Sequence, residues 1–142
     1  RGEECIFIGK VRELACEFSK TLIPWGIKVY QTAKIAIAAR SRQMKFWNHG
    51  AAPQTGELVR VRFADQIKTY YGYFTEQIDG LRAGDYVPDA FKTIAELPAA
   101  YHSVKRKLKS LGYDDANKWN LMHCGRRMKW LAIDFGPMSD QS

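Results

Sequence analysis

The chain has 142 residues, 46% of them hydrophobic, with 22 Lys/Arg against 15 Asp/Glu and a net charge of +7. That length suits one domain able to bury a sizeable core, and that composition argues against disorder. Three cysteines, Cys5, Cys16 and Cys124, form no C-x-x-C pair, which argues against a disulfide framework and a zinc ribbon and points to a reducing compartment. The longest apolar run, Ile35 to Ala39, is far short of the ~20 residues a membrane-spanning helix needs.

Charge is unevenly spread. Residues 1–50 hold nine Lys/Arg and four acids, residues 51–100 five and seven, and residues 101–142 eight and four. No acid occurs between Glu17 and Glu57, whereas Lys20, Lys28, Lys34, Arg40, Arg42 and Lys45 all do. Such a run suits an anionic partner (nucleic acid, a phospholipid surface or an acidic subunit), and equally a solvated face.

Helical spacing dominates the chain. Ile8, Val11, Ala15, Phe18 and Leu22 step by three and four and predict a helix over about 4–22, closed by Pro24. A basic amphipathic helix is predicted over 25–47. Val29, Tyr30, Ala33, Ala36, Ile37, Met44 and Trp47 share one side, with Lys28, Lys34, Arg42 and Lys45 opposite. Val29, Ile35 and Ile37 lend this segment some strand character.

Asn48 to Gly56 reads as a loop. Phe63, Ile67, Tyr70, Phe74, Ile78 and Leu81 then follow at helical spacing and predict the clearest helix of the chain, ending near Gly80 and Gly84. Tyr71 and Tyr73 fall outside that stripe and suit a subunit contact. Ala90, Ile94, Leu97, Tyr101, Val104, Leu108 and Leu111 predict another helix opened by Pro88-Asp89. Pro98 starts a new segment there or kinks the helix, and Gly112 suits its C-terminal cap. Asp114 or Asp115 would cap a short last helix to about Cys124. Strand signals are confined to Leu58–Phe63 and Met128–Ile133. The expected fold is all-α: four to five helices in a single domain over 1–142, with a loose tail at 136–142.

Chemistry-bearing motifs are sparse. His49, His102 and His123 share no metal-ligand spacing, and no GxGxxG, P-loop or GxSxG occurs. No catalytic, cofactor or metal residue is expected, so the expected protein is not an enzyme. Two basic clusters stand out, Lys105-Arg106-Lys107-Leu108-Lys109 and Arg126-Arg127-Met128-Lys129-Trp130, the second with an aromatic that could stack on a base.

One family pattern resembles part of the chain. Lys28-Val29-Tyr30 to Ala33-Lys34-Ile35 leads to Pro53-Gln54-Thr55-Gly56-Glu57-Leu58 and then to Ala83-Gly84-Asp85-Tyr86. Residues 27–90 are similar in this order to the soluble part of mitochondrial ATP synthase subunit g. The membrane helix of that family has no counterpart in these residues. The resemblance implies a non-catalytic accessory subunit of a mitochondrial inner-membrane assembly, peripheral to the membrane. It would dock on other protein subunits, or on anionic phospholipid, through Lys28, Lys34, Arg42, Lys45, Trp47, Arg126, Arg127 and Trp130. The alternative is a small nucleic-acid-associated protein, such as a ribosomal accessory protein, with Lys105, Arg106, Lys107 and Lys109 on phosphate.

Overall fold

A computed structural model describes residues 5–15, 22–78, 80–85, 96–114, 116–125 and 127–135. In chain order, β1 (Cys5–Ala15), β2 (Leu22–Tyr30), α1 (Ala33–Asn48), β3 (Thr55–Val61) and β4 (Tyr70–Glu76) come first. A 3-10 turn (Ala83–Asp85), α2 (Glu96–Ser110), β5 (Leu121–Cys124) and β6 (Lys129–Ala132) follow. β1–β4 form an antiparallel sheet in the order β1-β2-β4-β3, and β5–β6 form a hairpin. The all-α expectation is thus corrected: the described residues form a mixed α/β fold with two helices and two antiparallel sheets. The chain divides into two compact units. Residues 1–45, 54–77 and 134–142 make the first, and 46–53 and 78–133 the second. The expected tail at 136–142 lies outside the described residues.

The reason for the correction lies in residue type. In the first segment Ile6, Phe7, Ile8 and Val11 are β-branched or aromatic and favour a strand; Phe7 pairs with Val29, Ile8 with Lys28 and Val11 with Trp25. Apolar density there satisfies a period of two as well as one of 3.6. Pro24 lies inside β2, not after a helix. It sits where β1 bulges, between Val11 and Leu14, and before β4 pairing starts at Trp25. A residue without an N–H is tolerated at such a gap in the ladder.

The predicted helix over 63–81 is likewise overturned. Tyr70-Tyr71-Gly72-Tyr73-Phe74-Thr75 forms β4, and Ile67 lies 90% exposed in the connection before it. Aromatic and β-branched runs suit a pleated surface. Gly72 is required there, because a Cβ would run into the Lys28 carbonyl oxygen on β2.

The predicted 25–47 helix divides into β2, a short turn and α1. Thr32 Oγ1 accepts the Ile35 N–H at 3.2 Å and caps α1. Ala36, Ala39 and Gln43 form its fully buried face, three and four residues apart as one helical face demands. Ala36 and Ala39 pack with Tyr30 and Tyr73, whose rings stack at 6.0 Å. The small alanines let the helix approach the sheet closely.

In the second unit, α2 has Pro98 in its first turn, where the missing N–H costs nothing. Gly112, at φ 92°, ends it, and Tyr113 N–H closes back on Leu108 C=O at 2.9 Å. The helix expected up to Cys124 is instead β5, so Asp114 caps no helix there. Trp130 on β6 is fully buried against Tyr101 of α2 (5.4 Å) and His123 of β5 (5.2 Å).

Candidate functional site

Alternation along β2 places Gly26, Lys28 and Tyr30 on one face of the sheet. Register then adds their cross-strand partners on β4: Thr75, Tyr73 and Tyr71. Gln43 enters this face from α1, with its Nε2 donating to Thr75 Oγ1 and the Tyr73 hydroxyl donating to its Oε1, both at 2.8 Å. Lys28 is 7% exposed, and its ammonium lies 5.4 Å from the centre of the Phe135 ring. A buried lysine is costly unless its charge is compensated.

Asp134 and Phe135 follow the β5–β6 hairpin directly. Ile133 N–H donates to Asn120 C=O at 3.0 Å. Asn120 closes the segment Tyr113-Asp114-Asp115-Ala116-Asn117-Lys118-Trp119-Asn120, in which an aspartate precedes an asparagine by five positions. The Asn117 side chain folds this segment locally, accepting the Trp119 N–H at 2.8 Å. Gly84 N–H reaches Lys118 C=O at 2.7 Å and ties the 3-10 turn to it. A cavity of about 150 Å³ opens beside the segment, lined by Lys105, Lys109, Tyr113, Asp114, Ala116 and Asn117.

The expected docking residues are distributed over both units. Lys28 is a buried strand residue, contrary to its expected place on the polar side of a helix. Lys34 and Lys45 are exposed on α1, while Arg42 and Trp47 are half-buried there. Arg127 is half-buried in the β5–β6 turn, Trp130 is in the core of the second unit, and Arg126 lies outside the described residues. Of the expected phosphate contacts, Lys105 and Lys109 share the cavity, Arg106 is exposed, and Lys107 donates to the His49 carbonyl at 2.7 Å. Burial pushes the His123 imidazole below its ordinary pKa.

Sequence reasoning weighed Asp115 chiefly as a cap and passed over Gln43, Asn120 and Asp134. The signal for three of them was present as spacing: Asp-x-x-x-x-Asn, then Asp-Phe-Gly after a short hairpin. Among the described residues no cluster of three His, Cys, Asp or Glu could hold a metal ion, and no helix is long and apolar enough to cross a membrane. Comparison with known proteins finds no matching family model, curated protein or solved structure.

Proposed function

We propose that the chain is a phosphotransferase of the protein-kinase type, which transfers the γ-phosphoryl group of a nucleoside triphosphate to a hydroxyl acceptor. The observation that carries the reading is the buried Lys28 on a central strand, set against Phe135 of Asp134-Phe135-Gly136. In that class a lysine on a strand of the sheet, ending a Val-Ala-Ile-Lys run, pairs the α- and β-phosphates. A catalytic loop His-Arg-Asp-x-x-x-x-Asn supplies a base and a magnesium ligand, and an Asp-Phe-Gly aspartate supplies another. Here Trp25-Gly26-Ile27-Lys28, Tyr113-Asp114-Asp115 to Asn120, and Asp134-Phe135-Gly136 stand in that order. A helix separates the lysine strand from the next strand, and a hairpin links Asn120 to Asp134.

The assigned roles follow residue by residue. Lys28 neutralises phosphate. Asp115 takes the proton of the acceptor hydroxyl as its oxygen bonds to the γ-phosphorus, and the bridging P–O bond breaks to release the diphosphate. By their places in the motif order, Asp134 would offer magnesium a carboxylate oxygen and Asn120 an amide oxygen; magnesium commonly uses one or two carboxylates plus the substrate's own phosphates. Magnesium, when bound, neutralises the charge on the β- and γ-oxygens. The chain departs from the pattern at Tyr113-Asp114, which replace His-Arg, and at Gln43. A glycine-rich phosphate loop is not among the 142 residues.

Calorimetric titration with MgATP tests the proposal. Binding should be magnesium-dependent. Lys28→Met, which keeps volume and removes charge, and Asp134→Asn should each weaken it by about tenfold or more, roughly the loss of one charge-assisted contact. Absence of MgATP binding at millimolar concentration would sink the reading. An accessory-subunit role takes its support from charge alone, with Lys34 and Lys45 exposed on α1, and we rank it second.

A further inference from the structure

α1 runs Ala33–Asn48 and carries no acidic residue; its charges are Lys34, Arg40, Arg42 and Lys45. In kinases the corresponding helix offers a glutamate that pairs with the phosphate-binding lysine, and the making or breaking of that pair is a switch. No residue of α1 can make such a pair with Lys28. The helix is nonetheless held to the sheet: Arg40 Nε donates to the Gly56 carbonyl on β3 at 2.7 Å, and the tie to β4, beside the lysine strand, is made by neutral atoms. Gln43 is the one polar residue on the fully buried face, and its amide spans two residues of β4.

The wiring has a direction. Tyr73 Oη donates to Gln43 Oε1, Gln43 Nε2 donates to Thr75 Oγ1 (both 2.8 Å), and Thr75 Oγ1 donates to the Glu76 carbonyl at 3.4 Å. An amide fits because it accepts at one end and donates at the other. A carboxylate only accepts, so the Thr75 hydroxyl would have to turn to it and abandon Glu76. Tyr73 is also the cross-strand partner of Lys28, and Thr75 that of Gly26 two residues earlier. The clamp therefore fixes the β4 residues beside the lysine.

We infer that Gln43 is a positioning residue: it locks α1 to β4 through Tyr73 and Thr75, so that the surroundings of Lys28 are set without an ion pair from the helix and without its switch. This rests on the phosphotransferase reading for the role of Lys28. The test compares ligands that do and do not reach the lysine. In Gln43→Leu, MgATP affinity should fall by about tenfold, the loss of one or two buried hydrogen bonds, while adenosine affinity changes less than about twofold. Tyr73→Phe should act in the same direction and less strongly. Equal losses for both ligands, or no loss for either, would overturn the inference. If the unaltered chain binds no MgATP, the phosphotransferase reading fails instead. Amide exchange across α1 then decides the clamp: it must quicken in Gln43→Leu, and unchanged exchange removes it.

Discussion

The two units solve burial in opposite ways. Among the described residues, every buried polar or charged side chain belongs to the first unit: Lys28, Gln43, Gln54, Thr75 and Glu76. The second unit buries Phe46, Tyr101, Leu108, Tyr113, Leu121, Leu131 and Trp130. Its aromatic contacts are mostly edge-to-face, as between Phe46 and Tyr113 at 5.3 Å and 82°. Burying polar groups contributes little net stability even when they are bonded, and costs much when a partner is lost. A unit that keeps five of them is shaped for something other than stability.

That contrast sets the scale of two changes. Trp130→Ala removes the largest fully buried side chain of the second unit, and with it the contacts to Tyr101 and His123. Its cost should be about 3–5 kcal/mol, measured by denaturant unfolding. A cost near that of a surface change would mean the aromatic core is not what holds this unit together. Glu76→Ala acts in the first unit. The Glu76 carboxylate accepts the Gln54 N–H at 3.0 Å, and its own N–H donates to the Gln54 carbonyl at 2.9 Å. Truncation removes the first bond and keeps the second, leaving the buried Gln54 amide without this carboxylate, for about 1–3 kcal/mol. A neutral result would show that the buried carboxylate is not a structural tie, and the contrast between the units would weaken.

How much of this could be read in advance depended on how many periods a segment satisfies. Leu58–Phe63 and Met128–Ile133 signalled strands, and β3 and β6 fall largely there. Pro98 and Gly112 marked the start and end of α2, because each acts through its own backbone restriction. Segments dense in apolar residues misled. In 63–81 nearly every step of three or four meets an apolar residue, so the pattern fits a helix although β4 occupies its middle. The acid-free stretch from Glu17 to Glu57 was visible as charge. Its physical meaning, a helix unable to pair with Lys28, needed the strand–helix division between Tyr30 and Ala33. The site residues were hard to find for a related reason. Lys28, Gln43 and Asp134 are far apart in sequence, and each alone looks ordinary. Only the pairing of β2 with β4 sets Lys28 beside the residues that hold Gln43.

The smallest expected effect probes polar contacts on the outside of the second unit. Asp85 closes the 3-10 turn. Its carboxylate meets Arg82 Nε at 3.1 Å and accepts the Arg82 N–H at 3.3 Å, while the Arg82 guanidinium lies 5.2 Å from the Trp119 ring centre. The two side chains are 42% and 33% exposed, so water screens the pair. Asp85→Ala should therefore cost about 0–1 kcal/mol, read by the same unfolding experiment. The turn keeps its other anchors, the Gly84–Lys118 backbone bond and the Arg82–Met122 bridge, so Trp119 fluorescence should hold its wavelength. A loss as large as that of Glu76→Ala would place a polar network at the structural centre of the second unit, and the division between a polar-cored unit and an aromatic-cored one would no longer stand.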